Sequence, residues 1–126
     1  MKHHLPVLLA MFAVFAAVPF ATPETAAKEV RMTDNLTYEP KTITIKSGET
    51  VTWKNASSML HSVTDVPGKA AKAQDAVLPR NAKEFDSGLL EAGKTFSHTF
   101  TVPGTYKYFC IPHEELGMVG TVIVKK

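Results

Sequence analysis

The chain has 126 residues, 44% hydrophobic and 21% charged, the balance of a single compact globular domain without a long disordered tail. A net charge of +2 gives no argument for a nucleic-acid-binding surface, and a lone cysteine excludes an internal disulfide. The first 27 residues have a purpose of their own. Met1-Lys2-His3-His4 is a short basic start, residues 5–18 are apolar apart from Pro6, and small residues follow toward Ala21 and Ala27. This is the pattern of a secretory signal, too short for a membrane span. Cleavage after Ala27, with Thr25 and Ala27 at the small-residue positions, leaves a domain of residues 28–126; Ala21 is a second possible cleavage site, and an uncleaved anchor is the alternative. Only Lys2 and Glu24 among the charged residues precede residue 28, so export leaves the net charge unchanged.

Beyond the signal the sequence breaks into short runs separated by Gly, Pro and Asn, without a helical period over any long window. Residues 29–33 form a first strand. Residues 40–46 alternate through Thr42, Ile43, Thr44 and Ile45, Ser47-Gly48 turns, and residues 50–54 follow, which reads as a hairpin with one apolar and one polar face. Residues 69–83, rich in Ala and Lys and ended by Pro79, predict one short helix or an irregular excursion. Residues 94–101 then set Phe96, His98 and Phe100 on one side, Pro103-Gly104 turns, residues 106–110 make an aromatic strand, and residues 117–125 close the chain as a Val-rich strand. Seven or eight short strands over about 100 residues predict an all-β, antiparallel Greek-key sandwich. Asn35-Leu36-Thr37 and Asn55-Ala56-Ser57 match the glycosylation acceptor triplet, which is frequent by chance.

The chemistry concentrates in Tyr106-Lys-Tyr-Phe-Cys110-Ile-Pro-His113-Glu-Glu-Leu-Gly-Met118. A thiolate, imidazoles and a distant thioether are the donors of a blue-copper electron-transfer site, trigonal with a weak axial ligand. The run lacks one imidazole, and His61, far upstream, supplies it only if the fold brings it in. Each residue alone has an ordinary reading, since free cysteine packs as a small hydrophobe and methionine fills gaps; the spacing makes the metal reading stronger. An exported thiol is also exposed to oxidation unless something such as a metal occupies it. His98, with no sulfur nearby in sequence, is expected to be structural. Pro112 has no N–H and cannot donate to the Cys110 sulfur.

Residues 104–124, together with Trp53-Lys54-Asn55 and His61, resemble the plastocyanin and pseudoazurin branch of the cupredoxins. The Cys-x2-His-x4-Met spacing carries the likeness. The resemblance implies one type 1 copper ion with His61, Cys110 and His113 as equatorial ligands and Met118 as the long axial one. It also implies a one-electron carrier, not an enzyme, that docks transiently near His113 with a redox donor and acceptor. A monomer in the periplasm or another extracytoplasmic space, including a thylakoid lumen, suits such a carrier, with no nucleic-acid partner and no membrane insertion after cleavage. Many relatives follow the upstream histidine with Asn, which ties the two ligand loops; here Ser62 is shorter and is expected to make only part of that link. A copper storage or delivery protein is the alternative function, disfavoured by the absence of Met-rich or His-rich tracts.

Overall fold

The structure, a computed structural model, describes Lys2, residues 10–17 and residues 28–126. Most of the expected signal, residues 1–27, including both cleavage sites, lies outside the described residues. Among those described there, Met11, Phe12, Val14 and Phe15 stay exposed and take no part in the core. No helix among the described residues is long and apolar enough to cross a membrane.

Among the described residues, nine strands form two sheets. The first sheet has the order β2-β1-β4-β7, from β1 (Lys28–Met32), β2 (Tyr38–Glu39), β4 (Thr50–Asn55) and β7 (Thr95–Thr99). The second has the order β3-β9-β8-β5-β6, from β3 (Thr42–Lys46), β5 (Thr64–Asp65), β6 (Phe85–Asp86), β8 (Gly104–Phe109) and β9 (Val119–Lys125). Most pairings are antiparallel, whereas β1 with β4 and β3 with β9 run parallel. The sandwich stands, as mixed rather than purely antiparallel sheets.

The expected hairpin of β3 and β4 does not form, because the two strands belong to different sheets. Each buries alternate residues, Ile43 and Ile45 on one and Val51 and Trp53 on the other. Both faces are satisfied when the strands face each other across the core. The turn between them is an arch: Ser47 N–H donates to the Lys125 carbonyl of the second sheet, and Gly48 N–H to the Phe100 carbonyl on the other side. Gly48 takes a φ of 92°, which a side chain would oppose.

The core is aromatic at its centre. Trp53 lies edge-on to Tyr108 at 5.3 Å and tilted against Phe85, Phe96 and Phe100. His98 stacks on Phe85 at 4.4 Å, the structural role expected of it. Opposite Tyr108 in the register stands Gly120, where an added Cβ would overlap the buried phenol. Gly120→Ala is therefore expected to destabilise the fold by about 2 kcal/mol through overpacking, read as a lower urea midpoint. An unchanged midpoint would show that the Tyr108 ring can move aside.

The segment between β5 and β6 is the irregular excursion, with 3₁₀ turns at Pro67–Lys69 and Ala73–Asp75 and a bridge from Val77 to Lys107. Another 3₁₀ stretch, Ile111–Leu116, joins β8 to β9.

Candidate metal centre

β8 delivers Cys110 at its end, and the 3₁₀ stretch that follows folds His113 back over it. His113 N–H donates to the Cys110 carbonyl at 3.1 Å, and Gly117 closes the turn at φ 86°. Met118 then lies between the two, its N–H on the His113 carbonyl at 3.2 Å and its own carbonyl accepting Cys110 N–H at 3.1 Å. His61 arrives from the segment before β5, held by a two-way backbone bridge with Leu90. His61, Cys110 and Met118 are fully buried and His113 is half-buried.

Nδ1 of His61 and Nδ1 of His113 are 3.2 Å apart, and the Cys110 Sγ lies 3.6 Å from the first and 3.4 Å from the second. The centre of this triangle is about 2 Å from each corner, a metal–imidazole bond length. The pattern thus fits one ion held by two nitrogens and a sulfur. His61 Nε2 faces the Thr33 carbonyl at 3.1 Å, which places its proton there and leaves Nδ1 with a free lone pair.

Ser62 does more than its length suggested. Its N–H donates to the Cys110 sulfur at 3.3 Å, and its Oγ accepts the Ile111 N–H at 2.8 Å. The loop of His61 is thereby tied to the loop of Cys110 at both the sulfur and the next peptide. Tyr38 adds a third tether by donating its hydroxyl to the Ser62 carbonyl at 2.6 Å.

Two other supports were not read from the sequence as parts of the site. Asn55 is buried and donates to the carbonyls of Met59 and Leu90 while accepting from Ser57, so it shapes the approach to His61 and is closed to glycosylation. Glu114 is buried too, its carboxylate accepting the N–H groups of Ala71 and Lys72 at 2.9 and 3.1 Å. It clamps the basic excursion to the residue beside His113. The family-like run Trp53-Lys54-Asn55, which ends β4, was the available signal for Asn55; Glu114 offered none, since its partners are backbone groups far away.

Burial holds the His61 imidazole below its ordinary pKa, helped by His113 and opposed by the Thr33 carbonyl and Asp34. Burial likewise pushes the Cys110 thiol up, against the lowering by N–H groups of Ser62 and His113. Without metal the pocket favours a neutral imidazole and a protonated thiol, so metal capture must release the thiol proton.

The model of a family described as copper binding proteins, plastocyanin/azurin family, matches residues 25–125. The chain belongs to this family. Copper is the cofactor of this cupredoxin, as its donor set also indicates. It is 42% identical over 101 residues to the chloroplastic plastocyanin of Oryza sativa subsp. indica, covering 78% of this chain and 63% of that one. The chain thus spans less than two thirds of the rice protein's length. With plastocyanin of Nostoc punctiforme it shares 36% identity over 124 residues, covering 94% of this chain and 85% of the relative. A solved structure of a reduced amicyanin variant superposes with a TM-score of 0.60 at 31% identity, covering 79% of this cupredoxin and 82% of the other chain.

Proposed function

We propose that this cupredoxin is an exported one-electron carrier between larger redox proteins, with His61, Cys110 and His113 as equatorial ligands and Met118 as the axial one. The observation that carries the reading is the convergence of His61, Cys110 and His113, whose donor atoms all lie within 4.8 Å of one another. Bound copper supplies the Cu(II)/Cu(I) couple. The chain supplies rigidity: Ser62, Thr33, Leu90 and Met118 fix the ligand segments by hydrogen bonds. Ligands that keep their places in both oxidation states keep the reorganisation barrier low.

Residues 1–27 are read as the export signal and residues 28–126 as the copper domain, placing the carrier in the periplasm or an equivalent space. It acts as a monomer. Leu60, Ile111 and Leu116, 47%, 43% and 70% exposed, flank the ligands and give an apolar collar near the half-buried His113. Such a collar suits brief docking through a small interface. The excursion clamped by Glu114 carries exposed Lys69 and Lys72 beside it, and Arg80 and Lys83 are exposed further along. An acidic redox partner fits this surface. Association rates with that partner are expected to fall as ionic strength rises. Rates indifferent to salt would remove the steering role.

The test is the visible and EPR spectrum of residues 28–126 with Cu(II), then with a reductant. An intense sulfur-to-copper band with narrow hyperfine splitting, bleached reversibly, supports the carrier. A weak band with the broad splitting of a tetragonal complex overturns it and brings forward copper storage or delivery.

A further inference from the structure

The Ser62 hydroxyl that accepts the Ile111 N–H lies 2.9 Å from the Thr64 hydroxyl, which in turn donates to Asp86 Oδ1 at 3.0 Å. Asp86 Oδ1 also accepts the Gly88 N–H at 2.9 Å, and its Oδ2 receives Lys69 Nζ at 2.7 Å. Ser62 and Thr64 are fully buried, while Lys69 and Asp86 reach solvent with side chains 54% and 19% exposed. The direction of every bond is determined. A carboxylate only accepts, so Thr64 donates to Asp86 and has no proton left for Ser62; Ser62 therefore donates to Thr64, and its lone pair takes the Ile111 N–H. Such a one-way chain polarises along its length, each bond strengthening the next.

We propose that Thr64 and Asp86 are positioning residues for the Cys110 sulfur, and that Lys69 is the surface terminal through which an acidic partner changes their hold. The copper end of this inference rests on Cys110 being a ligand; the chain itself does not. Ser62 joins the two ends, because the residue whose hydroxyl heads the chain also donates its N–H to the sulfur. Lys69 belongs to the basic excursion and can pair with Asp86 or with a partner's carboxylate. When Lys69 leaves Asp86, the carboxylate concentrates its acceptance on Thr64 and Gly88, and the pull on Ser62 and the Ile111 peptide increases.

The experiment uses NMR of the copper-free full chain together with the potential of the copper-loaded one. In Thr64→Val the Ile111 amide is expected to shift upfield and exchange about tenfold faster, the loss of roughly one hydrogen bond, with Thr64→Ser restoring both. Lys69→Met, an exposed change that leaves the core intact, is expected to move the Ile111 amide downfield in the parent and not at all in the Thr64→Val background. The potential should follow the same pattern. An Ile111 amide indifferent to Thr64→Val, or an equal Lys69→Met shift in both backgrounds, overturns the chain. If the amide responses hold while the loaded protein lacks the sulfur-to-copper band, the chain stands and the copper assignment fails.

Discussion

Asp65→Asn is expected to stabilise the protein by about 4 kcal/mol at pH 7, with a gain that disappears below about pH 4. Asp65 is fully buried on β5, and neither carboxylate oxygen has a hydrogen-bond partner among the described residues. Burial, with a smaller push from Glu84, raises its pKa from 3.8 to about 8. The folded chain therefore keeps a proton that the unfolded chain gives up. Below the ordinary carboxylate range both states are protonated, and the residue resembles asparagine in each. Between about pH 4 and pH 8 each further unit costs the folded state about 1.4 kcal/mol, and above pH 8 the cost levels off. Asparagine keeps the shape and has no proton to lose, while titrating groups that do not interact with Asp65 cancel between the two proteins. Urea unfolding of both from pH 4 to pH 9 checks this. A difference in stability that stays constant across that range would mean Asp65 has found a partner.

Cys110→Ser is expected to abolish the intense visible band and to weaken copper binding at least about 100-fold, while the fold persists. Serine is nearly the same shape and can still accept the Ser62 N–H in place of sulfur. What it lacks is an ionisable soft donor, because its hydroxyl does not deprotonate at the pH where a metal draws off a thiol proton. His98→Ala is the control: that ring stacks on Phe85 in the aromatic core and should leave the band intact. Titration of both variants with Cu(II), followed by absorbance and EPR, separates the outcomes. A surviving band in Cys110→Ser would take the sulfur out of the site.

The run from Tyr106 to Met118 was legible because its elements are local: a strand end, a tight turn closed by Gly117 and a return strand. Strand positions were legible for a similar reason, since Ile43, Ile45, Val51 and Trp53 alternate with polar residues. Alternation says which side of a strand is buried. It does not say which sheet the strand joins, and so the arch at Gly48 looked like a hairpin. Ser62 was judged by its length alone, whereas its reach depends on how closely β5 approaches β8. Nothing in the local sequence Val63-Thr64-Asp65-Val66 marks Asp65 as buried, and its burial follows from β6 and β8 closing on either side. Glu114 reads as a solvated charge until the excursion lays two N–H groups against it. These features come from tertiary proximity, which no single segment encodes.

β5 meets β8 through one residue pair, Thr64 with Phe109, and this pair sets His61 beside Cys110, 49 positions further along the chain. A nascent or loosened chain still carries Cys110, His113 and Met118 close in sequence, but it offers them without the fourth donor. Full-strength copper capture is then reserved for molecules whose second sheet has closed, so metal content becomes a gauge of completed folding. Bound there by His61 and Cys110, an ion would act as a clasp across the shortest seam of the sheet, and its removal should loosen β5 and β6 before the rest of the sandwich.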